Sequence, residues 1–236
     1  MIISVHLPKT AGSSFQISLD QHFANKLLLD YADLPINTPP FDRNRSALIS
    51  GLKNIEINFS EIECIHGHFM PVKYLLLNTI HPLIFVTWMR NPVERVISHF
   101  YFWQRTFCSD SPPLHKRIIE EKWTLEKFCL SDEVRNLYHQ FLWGFPLHNF
   151  DFIGITEYYE YDFMYFCQFF LHKNLTAHKV NINKNRRGDY PISKTLRRQI
   201  ESFHMLDMEL YHLALKLRFQ RKEKLLSKII GIFQNK

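Results

Sequence analysis

The stretch IISVHLPKTAGSSF, residues 2–15, decides the fold. It opens with an apolar, β-branched run that predicts a strand, and the run stops at Pro8, which cannot donate to a sheet ladder. A short loop of small residues follows at positions 9–12. Ser13 and Ser14 then stand ahead of a helical pattern that extends to about Ala24. The sequence therefore predicts a strand, a tight loop and a helix N-terminus in direct succession.

That arrangement is typical of anion-binding sites, because backbone N–H groups and the positive end of a helix dipole converge on one point. Gly12 permits close approach of a ligand, Lys9 adds a mobile positive charge, and Thr10, Ser13 and Ser14 add hydroxyl groups. The lysine precedes the glycine, whereas the nucleotide-hydrolase motif G-x-x-x-x-G-K-[ST] has the reverse order. A nucleoside triphosphatase is therefore not favoured. An ordinary turn with a surface lysine is the alternative.

A second strand–helix unit begins with LIFVTW, residues 83–88, a continuous apolar run that predicts a buried parallel strand. Arg90 follows at its carboxyl end, and Pro92 suits the first position of the next helix. The apolar stripe of this helix predicts its core-facing side and leaves Arg95 and Ser98 off that side. Arg90 and Ser98 are then placed to grip one phosphate, the arginine through its bidentate fork and the serine through a single bond.

A short apolar run at residues 62–65 predicts another strand, which leads into His66-Gly67-His68-Phe69. Ligand crevices of open α/β sheets lie at the carboxyl ends of strands, so His68 is a candidate general base for an acceptor hydroxyl. The alternative is that these are packing histidines, since the chain has 13. No third ligand stands at a recognisable spacing, so no metal site is predicted.

Five segments together resemble one family, the sulfotransferases that use 3′-phosphoadenosine 5′-phosphosulfate (PAPS), and within it the carbohydrate branch containing the heparan-sulfate 2-O-sulfotransferases. The resemblance implies an α/β three-layer sandwich around a central, mostly parallel sheet, the P-loop NTPase-like fold of these enzymes. The segments follow one another in the expected order between residues 2 and 214: PKTAGSSF, HGHF, RNPVERVISHFYF, FDFIGITEYYEYDF and LDMELYHLA.

The resemblance also implies residue roles. His68 matches the catalytic base, with His66 as its neighbour and alternative, and Lys9 takes part in catalysis as well as in donor binding. Arg90 and Ser98 match the residues that hold the 3′-phosphate. Asn91 stands where the family often has an acidic residue or histidine. The residues implied to hold the 5′-phosphosulfate are Lys9, Thr10, Ala11, Gly12, Ser13 and Ser14, and a loosely similar phosphate loop adds Arg186 and Arg187 as candidates.

The implied reaction moves a sulfuryl group from PAPS to a hydroxyl acceptor, best a carbohydrate, by in-line displacement with a histidine base. The product is 3′-phosphoadenosine 5′-phosphate, and no metal is required. Three alternatives stay open. The first alternative is a nucleotide kinase-like protein, and the second is a non-catalytic module that binds acidic glycan or nucleic acid. The third is a pseudoenzyme that keeps PAPS affinity without acceptor chemistry.

Composition bounds these interpretations. The 236 residues contain no linker, so a single domain spanning 1–236 is predicted, and 46% hydrophobic residues supply a substantial core. A net charge of +6 and a pI near 9.1 suit a polyanionic partner such as a nucleotide or acidic sugar, and nucleic acid is the less favoured one. Four scattered cysteines indicate buried thiols in a reducing compartment. No signal pattern opens the chain and no apolar run approaches the ~18 residues of a membrane span, so a soluble cytoplasmic protein is expected.

The remaining chain is predicted from its turn formers and helical periodicities. Residues 30–45 and 107–122 are interpreted as surface loops, and residues 181–190 as a polar basic loop. Helices are predicted at 124–130, 133–143 and 158–170, and two more follow Ser193. The last is a basic amphipathic helix over roughly 204–233, able to pack on its own domain, a partner helix or anionic lipid. The sequence leaves the oligomeric state open.

Overall fold

A single sheet of five strands lies at the centre of the fold, and every neighbouring pair of strands is parallel. The computed structural model describes residues 1–33, 36, 38–178 and 190–234, with the side chains of all of these except 224 and 226–234. The strands are β1 (Ile2–Val5), β2 (Leu27–Leu29), β3 (Cys64–Gly67), β4 (Ile84–Met89) and β5 (Phe152–Ile155). Their order across the sheet is β2-β3-β1-β4-β5, so the first strand of the chain is the central one.

The helices connect and cover these strands, and their bounds follow the apolar periodicity closely in most cases. The ten helices among the described residues are α1 (Gly12–Phe23), α2 (Pro40–Asn54), α3 (Val72–Leu75), α4 (Pro92–Thr106), α5 (Pro113–Glu120), α6 (Leu125–Cys129), α7 (Leu137–Phe141), α8 (Tyr159–Phe166), α9 (Lys194–Phe203) and α10 (Met205–Gln234). Residues 167–171 continue α8 as one π-helical turn.

Alternation along β1 distributes its side chains between two apolar layers. Ile3 and Val5 point to the layer that contains α3, α7 and α10, and Ile2 points to the layer of α1 and α8. Both faces of the parallel sheet are therefore covered, as backbone pairing of this kind requires. The predicted α/β three-layer sandwich with a parallel central sheet is confirmed.

A third apolar cluster lies beyond the carboxyl edge of the sheet, where α4 packs against α6 and α9. This cluster buries the apolar stripe of α4, as predicted. It also buries Arg95, which the sequence had placed off the core-facing side and which is 0% exposed. Helix α4 is thus enclosed on more sides than its stripe indicates, and the expectation that Arg95 faces away from the core is wrong.

Two predicted loops contain helices instead. Helix α2 begins at Pro40, inside the supposed excursion 30–45, and α5 begins at Pro113, inside the supposed loop 107–122. In both places a pair of prolines was interpreted as a loop signal, although the second proline occupies the first turn of a helix, where its missing N–H is not needed. Strand β2 was not predicted, because three residues are too few to show a periodicity.

The C-terminal helices agree with the prediction. Helix α10 is joined to β5 and α8 by a buried ion cluster in which Arg218 and Arg221 both contact the Asp162 carboxylate, at 2.9 Å and 3.1 Å. Arg221 also donates to the Ile153 carbonyl at 3.0 Å. This cluster fixes the proximal part of α10 on its own domain, whereas the side chains of Ile229 and Ile230 lie outside the described residues. In the described chain, no helix combines the length and the apolar character needed to cross a bilayer.

Candidate active site

The carboxyl ends of β1, β3 and β4 bring the sequence-predicted residues to one edge of the sheet. Val5 is paired with Gly67 of β3 on one side and with Thr87 of β4 on the other. The loop after β1, the histidine after β3 and the arginine after β4 therefore lie side by side. From β1 the chain crosses toward β2 at one side of the sheet, and from β4 it crosses toward β5 at the other side. The two connections diverge, and a crevice opens between the ends of β1 and β4. We call residues 7–14 at this crevice the donor loop.

The donor loop is fixed from within. The Thr10 hydroxyl, fully buried, donates to the Leu7 carbonyl at 2.7 Å. Lys9 and Ala11 take positive φ angles of 67° and 69°, so the chain reverses tightly before α1 begins. Phe15 anchors the first turn, with its ring centroid 5.0 Å from that of Phe166 in the apolar layer beneath.

Ala11, the N-cap residue of α1, makes no side-chain hydrogen bond to the first turn of the helix. The first amides of a helix have no acceptor within the helix, so they point their N–H groups out of its end. Ser13 is exposed there, whereas Gly12 and Ser14 are buried. The donor loop thus leads into a helix end that presents backbone N–H groups and the positive end of the helix dipole at the crevice. This is the arrangement that the sequence predicted.

Three cations, Lys9, Arg90 and Arg105, lie near one another at this side of the crevice. Burial, together with the charges of Arg105 and Arg90, lowers the pKa of Lys9 to about 8. The Lys9 ammonium lies 3.7 Å from the centroid of the Phe102 ring. Within the part of the chain that the structure describes, none of the three forms an ion pair with a carboxylate. The crevice therefore concentrates positive charge that an anion would neutralise.

The turn after β4 is held by side chains of its own. The Asn91 side chain accepts from the amides of Val93 at 3.0 Å and Glu94 at 3.3 Å, and so caps α4. The Tyr138 hydroxyl bonds both the amide and the carbonyl of Arg90, at 3.0 Å and 2.8 Å. These contacts fix the backbone of Arg90 and leave its guanidinium half-buried at the crevice. Asn91 thus has a structural role where the family often has another residue.

The other candidates for phosphate binding are placed less completely. Ser98 is half-buried on α4, two turns after Arg90. Arg105 follows Ser98 by seven residues, so both lie on the same side of the helix. Arg186 and Arg187 lie outside the described residues.

His68 is held in the orientation of a general base. Its Nδ1 bonds the backbone carbonyl of His6, which requires the proton on Nδ1 and leaves a lone pair on Nε2. The residue is half-buried, and burial lowers the pKa of its imidazole. At neutral pH the ring is therefore unprotonated at Nε2 and able to accept a proton.

His66 lies in the interior. It is 1% exposed, its Nδ1 is 2.8 Å from the Ser4 hydroxyl, and burial lowers its pKa to about 3. Its Nε2 is enclosed and has no hydrogen-bond partner among the described atoms. Gly67 separates the two histidines because the Asp30 backbone carbonyl passes 1.7 Å from where a Cβ would stand. The HGH motif thus combines one interior histidine, one close backbone crossing and one histidine at the crevice.

Sequence reasoning missed two residues at this edge. His6 follows the last residue of β1, and its ring stacks on that of His68 with centroids 4.2 Å apart. The sequence placed His6 inside the predicted strand, whose apolar run continues to Leu7, so the rule that selected His68 did not select His6. Arg105 was detectable, because it recurs on the face of α4 that carries Ser98. In the described ranges, no group of three or more His, Cys, Asp or Glu side chains is arranged to hold a metal ion.

Comparison with known proteins gives a distant structural likeness and no match by sequence. No protein-family model matches the chain, and no curated protein matches it. Among solved structures it is similar to a sulfotransferase from Alicyclobacillus acidocaldarius, with 14% sequence identity and a TM-score of 0.47. The similarity covers 90% of this chain and 94% of that one.

Proposed function

We propose that this chain is a PAPS-dependent sulfotransferase that transfers a sulfuryl group to a hydroxyl acceptor, with a carbohydrate as the acceptor class. The observation that carries the proposal is the meeting of three features at one edge of the sheet. These are the N-terminus of α1, whose N-cap residue makes no side-chain hydrogen bond, the cations Lys9 and Arg90, which form no ion pair within the described residues, and a histidine whose Nε2 is available to accept a proton.

The residues present fit a donor with an anionic group at each end. The donor loop, with its α1 amides and Lys9, suits the 5′-phosphosulfate, and Arg90 with Ser98 suits the 3′-phosphate. Because β1 and β4 are neighbours in the sheet, one adenosine-containing molecule is able to reach both groups. Arg186 and Arg187 remain candidates for the same phosphate on the strength of the sequence.

The chemistry requires one proton acceptor and one site of charge neutralisation. His68 Nε2 takes the proton of the acceptor hydroxyl as the acceptor oxygen bonds to sulfur. The bond between sulfur and the phosphate oxygen breaks in line, and its electron pair leaves with the bisphosphate. Lys9 and the α1 amides stabilise the charge that collects on that oxygen. We assign the base to His68 rather than His66, because the Nε2 of His66 is enclosed in the interior.

The proposal also covers the surroundings of the reaction. The partners are PAPS and a hydroxyl-bearing acceptor, and nucleic acid is not among them. A reducing compartment, the cytoplasm, suits the cysteines: all four are free thiols, and Cys64, Cys129 and Cys167 are buried. Peripheral membrane contact through the basic C-terminal helix belongs to the proposal as a secondary feature and rests on its sequence alone.

Two measurements on the full chain test the function. Titration calorimetry with 3′-phosphoadenosine 5′-phosphate measures the donor site, and incubation with radiolabelled PAPS and a panel of glycans, lipids and small alcohols measures transfer. His68→Ala is expected to lose most turnover while binding the bisphosphate with near-normal affinity. His81→Ala is the matched control, since His81 is an exposed histidine next to Pro82, whose carbonyl lies at the opposite, amino edge of the sheet.

Each rival gives a different result in the same experiment. ATP binding that outcompetes the bisphosphate would favour a kinase-like protein. Binding of acidic glycan that falls steeply with salt and ignores Lys9→Ala and Arg90→Ala would favour a binding module. Bisphosphate binding without label transfer to any acceptor would favour a pseudoenzyme. Full activity in His68→Ala would remove that residue from the mechanism.

A further inference from the structure

The ring of His6 occupies the space between the two halves of the candidate site. On one side it packs against the start of α1, where a Cβ built on Gly12 would stand 1.9 Å from the His6 Nε2 atom. On the other side it stacks on His68, with ring centroids 4.2 Å apart and an interplanar angle of 29°. His66 stacks on the same ring at 5.2 Å. His6 thus touches both the donor loop and the residue proposed as the base.

A hydrogen-bonded chain holds this ring from its outer edge. The His6 Nδ1 lies 3.3 Å from the Tyr31 hydroxyl, and that hydroxyl donates to Gln16 Oε1 at 2.8 Å. Because the tyrosine proton is directed to Gln16, its oxygen accepts from Nδ1–H of His6. The tautomer of His6 is therefore set, and Gln16 ties the chain back to α1, the helix that follows the donor loop.

The backbone of His6 orients His68 as well. Its carbonyl accepts the proton of His68 Nδ1, so the same residue supports the base through its ring and through its main chain. His6 is only 8% exposed, which leaves it little freedom to move away. A displacement of the ring would therefore shift His68 and the first turn of α1 together.

We propose that His6 is a positioning residue, whose imidazole, wedged between Gly12 and His68, holds the base at a fixed place relative to the donor loop. This inference rests on the proposed function, in which His68 accepts the proton. It gives His6 no contact with the reacting atoms. The role is to keep the Nε2 of His68 aimed at the crevice and the ring in its Nδ1–H tautomer.

The test measures tautomer and pH profile as well as turnover, because a purely structural residue would not move the first two. In His6→Ala, water gains access to His68, the burial that lowers its pKa is relieved, and the acid limb of kcat/KM is expected to move to higher pH. The titratable residues that lie around His68 are His6, His66, His99, Tyr31 and Asp33.

Four proteins are compared: the wild type, His6→Ala, Tyr31→Phe and the control His81→Ala. In His6→Ala we expect kcat to fall at least tenfold and bisphosphate binding to weaken about threefold. Without the His6 ring, His68 is able to rotate away from the carbonyl of residue 6 that holds its Nδ1 proton, so nitrogen-15 NMR should show His68 losing its single Nδ1–H tautomer. Tyr31→Phe removes one hydroxyl at a half-exposed position and should fold normally. It is expected to change the same quantities in the same direction by a smaller factor.

The outcomes separate the two proposals. A wild-type protein that neither binds the bisphosphate nor transfers sulfate would refute the proposed function, while the tautomer of His68 would still report on His6. An active wild type whose acid limb and His68 tautomer are unchanged in both His6→Ala and Tyr31→Phe would refute the positioning role, even if kcat falls. Changes confined to His6→Ala and Tyr31→Phe, absent from His81→Ala, would support it.

Discussion

Helices α1 and α4 begin at the same edge of the sheet, after neighbouring strands, and their first turns are built differently. The start of α4 is closed by Asn91, whose side chain accepts from two of its first amides. The start of α1 has no side-chain cap, and the residue before it, Ala11, has no polar group to offer. One helix end is thus satisfied by the protein itself, and the other is left to meet something else.

This difference assigns distinct tasks to the two ends of the crevice. An uncapped N-terminus contributes amides and a dipole to an anion, so in the proposed site the loop after β1 would bind mainly through its backbone. The first amides of α4 already bond to Asn91, so Arg90 and Ser98 would bind a phosphate through their side chains. Substitutions that change the charge of a side chain, the space beside the backbone or the helix cap should therefore affect turnover, bisphosphate affinity and stability differently at the two helix ends.

The largest effect is expected from Lys9→Ala. Removing the ammonium at the open end of α1 takes away charge stabilisation where negative charge collects, and losses of this kind cost roughly 100-fold in turnover. A PAPS-dependent transfer assay measures it, and bisphosphate titration should show weaker binding in parallel. Lys53→Ala, on the exposed side of α2, is the control. Turnover and affinity equal to those of the control would contradict the distinct task of the open end.

The second prediction concerns the space beneath the open end. Gly12→Ala would place a Cβ 1.9 Å from the His6 ring, which stacked histidines on its far side prevent from retreating. Overpacking of this kind costs about 1–3 kcal/mol of unfolding free energy, measured by denaturant titration, and it should also weaken bisphosphate binding. Gly51→Ala is the control, because its added Cβ would meet backbone atoms of Val72 and Lys73 no closer than 3.4 Å. Equal stability of the two variants would show that the ring is not wedged.

The third prediction is a pH effect. Free Lys9 loses its proton near pH 8, since burial and neighbouring cations lower its pKa, whereas a bound anion requires the charged form. Above pH 8 the bisphosphate should therefore bind with uptake of about one proton, and its affinity should fall by up to about tenfold per pH unit. Calorimetry in buffers of different ionisation enthalpy measures the uptake. In Lys9→Arg, which stays charged, both the uptake and the pH dependence should vanish, and their persistence would exclude Lys9 as their source.

The contrast between the two helix ends also explains what the sequence could predict. The strand, the loop and the start of α1 were all recoverable, because local residue types determine them: a β-branched run, a proline, small residues and a helical pattern. The parallel central sheet was implied by the resemblance of five segments to one family, and the apolar run LIFVTW itself predicted a buried parallel strand. The predicted sites on β1, β3 and β4 then met at one edge, since carboxyl ends of parallel strands always do.

What the sequence could not show depends on contacts between distant segments. Arg95 is buried with its guanidinium 5.6 Å from the ring centroid of Tyr138 in α7, and no periodicity within α4 encodes that contact. The difference between His66 and His68 arises likewise from their neighbours, Ser4 for one and the His6 carbonyl for the other. Strand β2 was missed because three residues are too few to show a periodicity. The helices behind the two proline pairs were missed because turns and helix starts share the same amino acids.

The smallest effect is expected at the closed end. Asn91→Ala leaves the amides of Val93 and Glu94 without their cap, and a lost cap of this kind costs about 1 kcal/mol of unfolding free energy. Bisphosphate affinity should stay within about twofold, because the cap stabilises the helix and the guanidinium of Arg90 does the binding. Asn91→Asp is the matched variant: its carboxylate accepts from the same amides, so denaturant titration should return most of the lost stability. A large loss of affinity in Asn91→Ala, restored in Asn91→Asp, would mean that the start of α4 itself shapes the phosphate site, and the two helix ends would then differ less than their capping indicates.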